Sequence, residues 1–84
     1  MKNLKELLQN EELILFEIKE EDKISFLEYA KENSCTWVNG TEIKLKKDDC
    51  WVHMAISDNL TLGKIGLLCW AYSIKTTKPY KYEK

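Results

Sequence analysis

The most informative segment of the chain reads Thr36-Trp-Val-Asn-Gly-Thr-Glu-Ile43. Its central pair, Asn39-Gly40, is preferred in two-residue type I′ turns, because both central positions of that turn need a positive φ. The residues after the turn alternate in polarity, so Ile43 and Leu45 are predicted to point inward. The segment therefore predicts a β-hairpin near the middle of the chain.

Apolar runs on both sides of this hairpin predict further strands. Upstream, residues 13–18 form a short run of β-formers in which Ile14, Phe16 and Ile18 share one face and Leu15 points to the other. Downstream, residues 50–57 and a return from Leu60 predict two more strands. The most apolar run, residues 67–74, is predicted to be a central strand.

Two helices are predicted before the hairpin. Asn3 and Glu6 have the spacing of a helix N-cap pair, which predicts a short helix over residues 3–10. Acidic residues open a second helix over about residues 20–33, whose buried stripe includes Phe26, Leu27 and Ala30. The predicted fold is α+β, an antiparallel meander sheet of four to five strands with one or two helices packed on one face. We expect one domain over residues 1–75 and a flexible tail, rich in Lys and Tyr, over residues 76–84.

The charge of the chain is unevenly distributed. All 13 basic residues are Lys, and the formal net charge is -1. Residues 1–34 are acidic and residues 35–84 are basic. A chain without Arg lacks the planar fork that reads guanine edges, which disfavours a sequence-specific DNA reader.

The cysteine count and the apolar runs indicate a location. Three Cys is an odd number, the first ten residues contain no apolar run, and the longest apolar stretch is too short to cross a bilayer. These features predict a cytoplasmic protein with reduced thiols and no membrane segment.

Cysteine and histidine provide the main candidates for chemistry. A zinc set of Cys35, Cys50, His53 and Cys69 lacks a Cys-x-x-Cys pair, and a strand would put Cys50 and His53 on opposite faces. Three buried, unreactive thiols in strand interiors are the favoured interpretation. We therefore expect no metal, no cofactor and no enzymatic activity.

A binding role remains, and it has candidate residues. Ordered carboxylates can be steered by charge into a basic groove, and an aromatic side chain can act as a buried anchor. The residues predicted to bind a partner are Glu17, Glu20, Glu21, Asp22, Glu28, Glu32, Trp51 and His53.

A resemblance supports that role. The helix with Phe26-Leu27, followed by Trp37-Val-Asn-Gly40, a strand with Trp51 and a return with Gly63, resembles small phage and prophage accessory proteins of low-GC bacteria over roughly residues 20–72. The resemblance implies an inhibitor of the anti-CRISPR or anti-defence type, whose partner is a larger host protein such as a CRISPR or other defence nuclease complex.

Two other functions stay open. The tail could bind single-stranded nucleic acid, with charge from its lysines and stacking from its tyrosines. Its candidate residues are Lys75, Lys78, Tyr80, Lys81 and Tyr82. Alternatively, a thin core with an exposed apolar sheet face could make the chain a structural homo-oligomer, most simply a homodimer.

Overall fold

A computed structural model describes residues 3–83, and the predictions that extend to residues 1, 2 and 84 lie outside this range. Three helices and five strands follow each other in the order α1 (Leu4–Leu7), β1 (Leu13–Glu17), α2 (Lys23–Glu32), β2 (Thr36–Trp37), β3 (His53–Ser57), β4 (Thr61–Lys64), α3 (Leu67–Ser73) and β5 (Tyr80–Lys81). Two short 3-10 turns, Glu20–Asp22 and Lys47–Asp49, complete the described elements. Among residues 3–83, no helix has the length and apolar character needed to cross a membrane.

The five strands form one mixed sheet in the order β2-β4-β3-β1-β5. The pairs β1–β3 and β3–β4 are antiparallel, whereas β1–β5 and β2–β4 are parallel. The predicted α+β class is confirmed. The predicted purely antiparallel meander is wrong. β2 pairs in parallel with β4 and not with β3, the next strand in the chain, and β5 near the end of the chain pairs in parallel with β1.

The main core lies between one face of the sheet and the helices α1 and α2. Alternation along β1 places Ile14, Phe16 and Ile18 in this core, as the sequence predicts. Phe16 contacts Phe26 of α2, with ring centroids 5.2 Å apart. The side-chain oxygen of Asn33, just after α2, accepts a hydrogen bond from the backbone amide of Leu4 at 3.0 Å. This bond ties the short α1 to α2, which such a short helix requires because it is not stable alone.

The central turn forms, but the predicted hairpin does not extend from it. Gly40 has a φ of 85°, whereas Asn39 is not left-handed, so the turn is not type I′. Trp37 donates its amide to the carbonyl of Thr41 at 3.0 Å, and the chain then leaves the sheet. Residues 41–46 form no strand, and Leu45 is exposed although Ile43 is buried. The sequence therefore predicts that a turn lies here, but it predicts neither the type of the turn nor the pairing of β2, which depends on distant β4.

The last apolar run is a helix, α3, and not the predicted central strand. The interior positions of the sheet are taken by β4, β3 and β1, and the run instead docks on the second face of the sheet through Trp70. The prediction of helices on one face only is therefore also corrected.

The predicted tail contributes to the fold. Tyr80–Lys81 pair in parallel with β1, and Tyr82 is buried in the main core. The hydroxyl of Tyr82 donates to the carbonyl of Ser25 at 3.1 Å and lies 2.8 Å from the Ser25 hydroxyl oxygen. The packed structure therefore extends to Tyr82, beyond the boundary predicted at residue 75, because an aromatic residue near the end fills space beside α2.

Candidate protein-binding surface

α3 lies on the face of the sheet opposite the main core. His53 alternates along β3 with the core residue Met54, so its side chain points to that second face. The His53 imidazole stacks on the Trp70 indole, with ring centroids 4.0 Å apart and an interplanar angle of 7°. Leu15, which shares this face, is fully buried. Trp70 is the buried residue of α3, so the helix docks by one aromatic side chain.

The outer side of α3 is apolar and exposed. A helix turns about 100° per residue, so Leu68 and Tyr72 form an i, i+4 pair nearly opposite Trp70. Leu68 is 88% exposed and Tyr72 is 77% exposed. Leu67 is 73% exposed and Ile74 just after the helix is also exposed, although helical spacing places both on the flank of α3 next to Trp70 and not opposite it. We call Leu67, Leu68, Tyr72 and Ile74 the α3 surface. Contiguous apolar patches of this kind on small proteins are commonly interaction sites.

The α3 surface carries no charge. Residues 65–74 contain no Asp, Glu or Lys, and the nearest charged residues along the chain are Lys64 and Lys75. The ammonium of Lys75 lies 5.9 Å from the Tyr72 ring centroid, at one end of the surface. Centres of protein interfaces are depleted in charged residues and enriched in aromatic ones. The composition of α3 matches such a centre.

The sequence does not reveal this surface, because the apolar run over residues 67–74 predicts a buried strand. A helical signal was present: Leu67, Trp70 and Ile74 recur at intervals of three and four residues, and Gly66 precedes them. In a short, wholly apolar run the same pattern fits a helix and a buried strand equally well. The observed burial distinguishes a helix from a strand here, because Trp70 is the buried residue of this segment.

Trp51, predicted as an aromatic anchor, lies in a different cluster. It is 46% exposed, and the ammonium of Lys64 lies 5.6 Å from its ring centroid. The same ammonium lies 5.6 Å from the centroid of Trp37. An open cleft of about 490 Å³, lined in part by Val38 and Asp49, adjoins Trp37 and Lys64. Lys64 therefore already uses the faces of both indoles for cation–π contacts.

Among the predicted acidic contacts, Glu20 has a structural role. Its carboxylate lies 2.8 Å from the ammonium of Lys23 and 3.2 Å from that of Lys47. Hydrogen bonds from Lys23 and Lys47 hold the pKa of Glu20 below its ordinary value. Glu20 thus stays ionised, and its charge is already paired with two ammonium groups, one on α2 and one in the 3-10 turn before β3.

The other predicted acids do not form one surface with Trp51 and His53. Glu21, Glu28 and Glu32 are exposed, and the last two lie on α2, which covers the main-core side of the sheet. His53 lies on the opposite side beneath Trp70. Two further acids predicted to bind a partner, Glu17 and Asp22, are half-buried. Glu28 and Glu32 are thus on the opposite face of the molecule from the α3 surface.

The candidate nucleic-acid residues near the end of the chain are only partly available. Lys75, Lys78 and Lys81 are exposed, and Tyr80 is about half exposed in β5. Tyr82 is buried against Phe26, with ring centroids 5.2 Å apart, so it does not present a free face to a base.

The three thiols fall into two classes. Burial raises the pKa of both Cys35 and Cys50 to about 11, so these thiols stay protonated and unreactive near neutral pH. Cys69 lies on α3 and is exposed, contrary to the prediction of three buried thiols. Within residues 3–83, no group of three or more His, Cys, Asp or Glu side chains is placed to hold a metal ion.

Comparison of the chain with models of protein families, with curated proteins and with solved structures finds no match.

Proposed function

We propose that the chain is a small non-enzymatic binding protein that blocks a larger nucleic-acid-handling protein, and that the α3 surface makes the contact. The observation that carries this proposal is the exposed, uncharged outer side of α3, with Leu68 88% and Tyr72 77% exposed. α3 buries Trp70 in its own fold and leaves its other large apolar side chains exposed, which is the composition of a protein interface.

The size of the α3 surface supports a contact of ordinary strength. Its four side chains expose on the order of 500 Å² of mainly apolar area, a large part of the roughly 800 Å² that each partner contributes to a standard interface. Tyr72 is of the residue type most enriched among energetic hot spots, and Leu68 beside it would help exclude water.

The acidic side of the molecule supports a basic partner. Glu21, Glu28 and Glu32 are exposed around α2, on the face opposite α3. Because they lie on the face opposite the α3 surface, these carboxylates act by long-range steering toward a positively charged protein and not as direct contacts. Proteins that handle nucleic acids have such positive surfaces, and the resemblance to small phage accessory proteins points to defence nucleases among them.

Two features favour binding over catalysis. The only imidazole in the chain, His53, is stacked face to face on Trp70 and therefore serves packing. Cys35 and Cys50 are buried with raised pKa values, the opposite of what a thiolate nucleophile needs.

The test is to mix the purified protein with candidate CRISPR and other defence nuclease complexes. Co-elution in size-exclusion chromatography and loss of target-DNA binding or cleavage are the expected results. The double variant Leu68→Glu, Tyr72→Glu should lose both effects, since two charges would be buried without partners.

A matched control is Val38→Glu, which adds the same charge at an exposed apolar residue outside α3. It should behave like the wild type. Failure to associate with any complex would remove the proposed partner class. Association that survives the double variant would show that another surface makes the contact.

Binding of single-stranded nucleic acid is a second candidate, favoured by the exposure of Lys75, Lys78 and Lys81. Such binding should weaken steeply with salt and should weaken further when these three lysines are changed to Gln. Salt-independent binding, or binding unaffected by the triple variant, would exclude the candidate.

A further inference from the structure

We infer that the cleft beside Trp37 and Lys64 binds single-stranded nucleic acid, with the indoles of Trp37 and Trp51 stacking unpaired bases and Lys64 contacting phosphate. The site is separate from the α3 surface, so the inference goes beyond the proposed function and does not depend on it. It also differs from binding by the lysines near the end of the chain, because none of its residues lies beyond Lys64.

The two indoles turn ring faces toward an exposed side chain and not only toward the core. The ammonium of Lys64 lies 5.6 Å from the ring centroid of Trp37 and 5.6 Å from that of Trp51. Lys64 is exposed and Trp51 is 46% exposed, so a ligand reaches these faces from solvent. Stacking of a base on an aromatic ring stabilises a complex more than an exposed cation–π contact does. A base can therefore replace the ammonium over either ring.

Lys64 is suited to hold the phosphate next to that base. Among residues 3–83, no carboxylate lies within ion-pair distance of its ammonium, whereas Lys23 and Lys47 are both paired with Glu20. A lysine ammonium sits on a flexible four-carbon stem, so it can move from the rings to a neighbouring phosphate oxygen. The same residue thus covers the rings in the free protein and neutralises the backbone of a bound strand.

The cleft has the size and the polar groups for a nucleotide. Its volume is about 490 Å³, within the roughly 300–1,000 Å³ that is usual for ligand sites. Asp49 lines the cleft, and a carboxylate accepts a hydrogen bond from the amino group of cytosine. This chemistry makes oligodeoxycytidine the appropriate probe.

The segment over residues 41–49 provides charge for the rest of a strand. Both of its ends, Thr41 and Asp49, line the cleft, and between them Lys44 and Lys46 are exposed. The segment also carries acids, of which Asp48 is exposed, so its net charge is small. We therefore expect a dissociation constant of about 1–100 μM that rises with salt, as for binding without sequence specificity.

The test is a titration with a labelled oligodeoxycytidine of about 12 nucleotides. Anisotropy of the label measures the affinity, and quenching of tryptophan fluorescence reports contact with the indoles. Trp51→Ala should weaken binding about tenfold, and Trp51→Phe should weaken it less because an aromatic ring remains. Lys64→Gln should weaken binding several-fold and make it less dependent on salt.

Matched controls change similar groups away from the cleft. Leu13→Ala shortens an apolar side chain on β1 that is 42% exposed, and Lys5→Gln removes an exposed charge from α1. Both should bind as the wild type does, and circular dichroism checks that every variant is folded. A wild type that neither binds nor shows quenching overturns the inference, as does binding that Trp51→Ala leaves unchanged.

Two further ligands distinguish a strand from simpler anions. CMP should bind at least about tenfold more weakly than the oligonucleotide, because one nucleotide does not reach Lys44 and Lys46 as well as the cleft. Polyglutamate of the same charge should compete poorly, because it has no rings to stack. Equal affinity for CMP would assign the cleft to a free nucleotide, and equal affinity for polyglutamate would show that charge alone is bound; either result overturns the inference.

These measurements are separate from the test of the proposed function. They use the free protein and nucleic acid, so they can fail while co-elution with a nuclease complex succeeds, and the reverse also holds. Binding that is lost when Lys75, Lys78 and Lys81 are changed to Gln, but is kept by Trp51→Ala, would place the strand at the end of the chain and not in the cleft.

Discussion

Trp70 is the residue on which the placement of α3 depends. It is the buried side chain of that helix, and it covers His53 at a ring separation of 4.0 Å. This contact covers part of the second face of the sheet, the face on which Leu15 also lies. One large aromatic residue thus decides which side of α3 faces inward and which side is left for a partner.

Changing Trp70→Ala should lower the free energy of unfolding by about 3–5 kcal/mol, the usual cost of removing a large buried aromatic side chain. Urea denaturation of the two proteins measures the difference. The control is Tyr72→Ala on the same helix, which should change stability by no more than about 0.5 kcal/mol because Tyr72 is exposed. Equal losses in the two variants would mean that α3 is not oriented as described.

The buried thiols make stability fall at high pH. An unfolded Cys ionises near pH 9, whereas burial raises the pKa of folded Cys35 and Cys50 to about 11. Between these values the unfolded chain releases protons that the folded chain retains, so stability is full below pH 9 and declines as pH rises toward 11. Each thiol should account for a loss of about 1–2 kcal/mol by pH 10.5.

Denaturation of wild type and Cys50→Ala at pH 8 and pH 10.5 measures this effect. The variant starts less stable but should lose less between the two pH values. A parallel decline of both proteins would contradict a buried, protonated Cys50.

At the scale of elements, sequence reasoning succeeds where a local pattern has one interpretation. Alternation along Leu13–Glu17 predicts β1 and its core face correctly, and the Asn3 side chain caps α1 as its spacing predicts. It fails for α3, since an unbroken apolar run fits a helix or a strand equally well. Only the sheet as a whole, whose interior positions are filled by β4, β3 and β1, decides that choice.

The strand β5 is a second element that the local sequence does not predict. Lysines and a proline near the end of a chain predict a mobile tail, but Tyr82 makes two hydrogen bonds with Ser25 and packs edge to face against Phe26. The contribution of Tyr82 to stability depends on the space that it fills beside α2, and that space is formed by residues far away in the sequence.

Deleting residues 79–84 should therefore lower the free energy of unfolding by about 3–5 kcal/mol, mainly through loss of buried Tyr82. Thermal or urea unfolding measures it. As a control, Lys78→Ala with Lys81→Ala should stay within about 0.5 kcal/mol of the wild type, because both lysines are exposed. A truncated chain as stable as the wild type would restore the interpretation of a flexible tail.

At the scale of the whole molecule, the sheet separates two kinds of surface. The exposed carboxylates of Glu28 and Glu32 lie on one face and the uncharged α3 on the other, a separation that depends on which helix packs on which face. The sequence indicates both the excess of acids in its first part and the apolar run in its second. It does not reveal that they point in opposite directions, since that follows from the mixed topology.

This separation predicts different kinetic effects for the two surfaces in any complex with a basic partner. Reversing charge on α2 with Glu28→Lys and Glu32→Lys should slow association about tenfold at low salt and leave dissociation nearly unchanged. Leu68→Glu should mainly speed dissociation. Surface plasmon resonance at two salt concentrations distinguishes them. If the variant with Glu28→Lys and Glu32→Lys instead dissociates faster, α2 is part of the direct contact.

The account depends above all on α3 being a helix docked by Trp70 with its outer side exposed. Native dilute protein treated with iodoacetamide and analysed by mass spectrometry tests this directly. One modified thiol, Cys69, is the predicted result, because Cys35 and Cys50 are buried. An unmodified protein, or modification at Cys35 or Cys50 in place of Cys69, would contradict it.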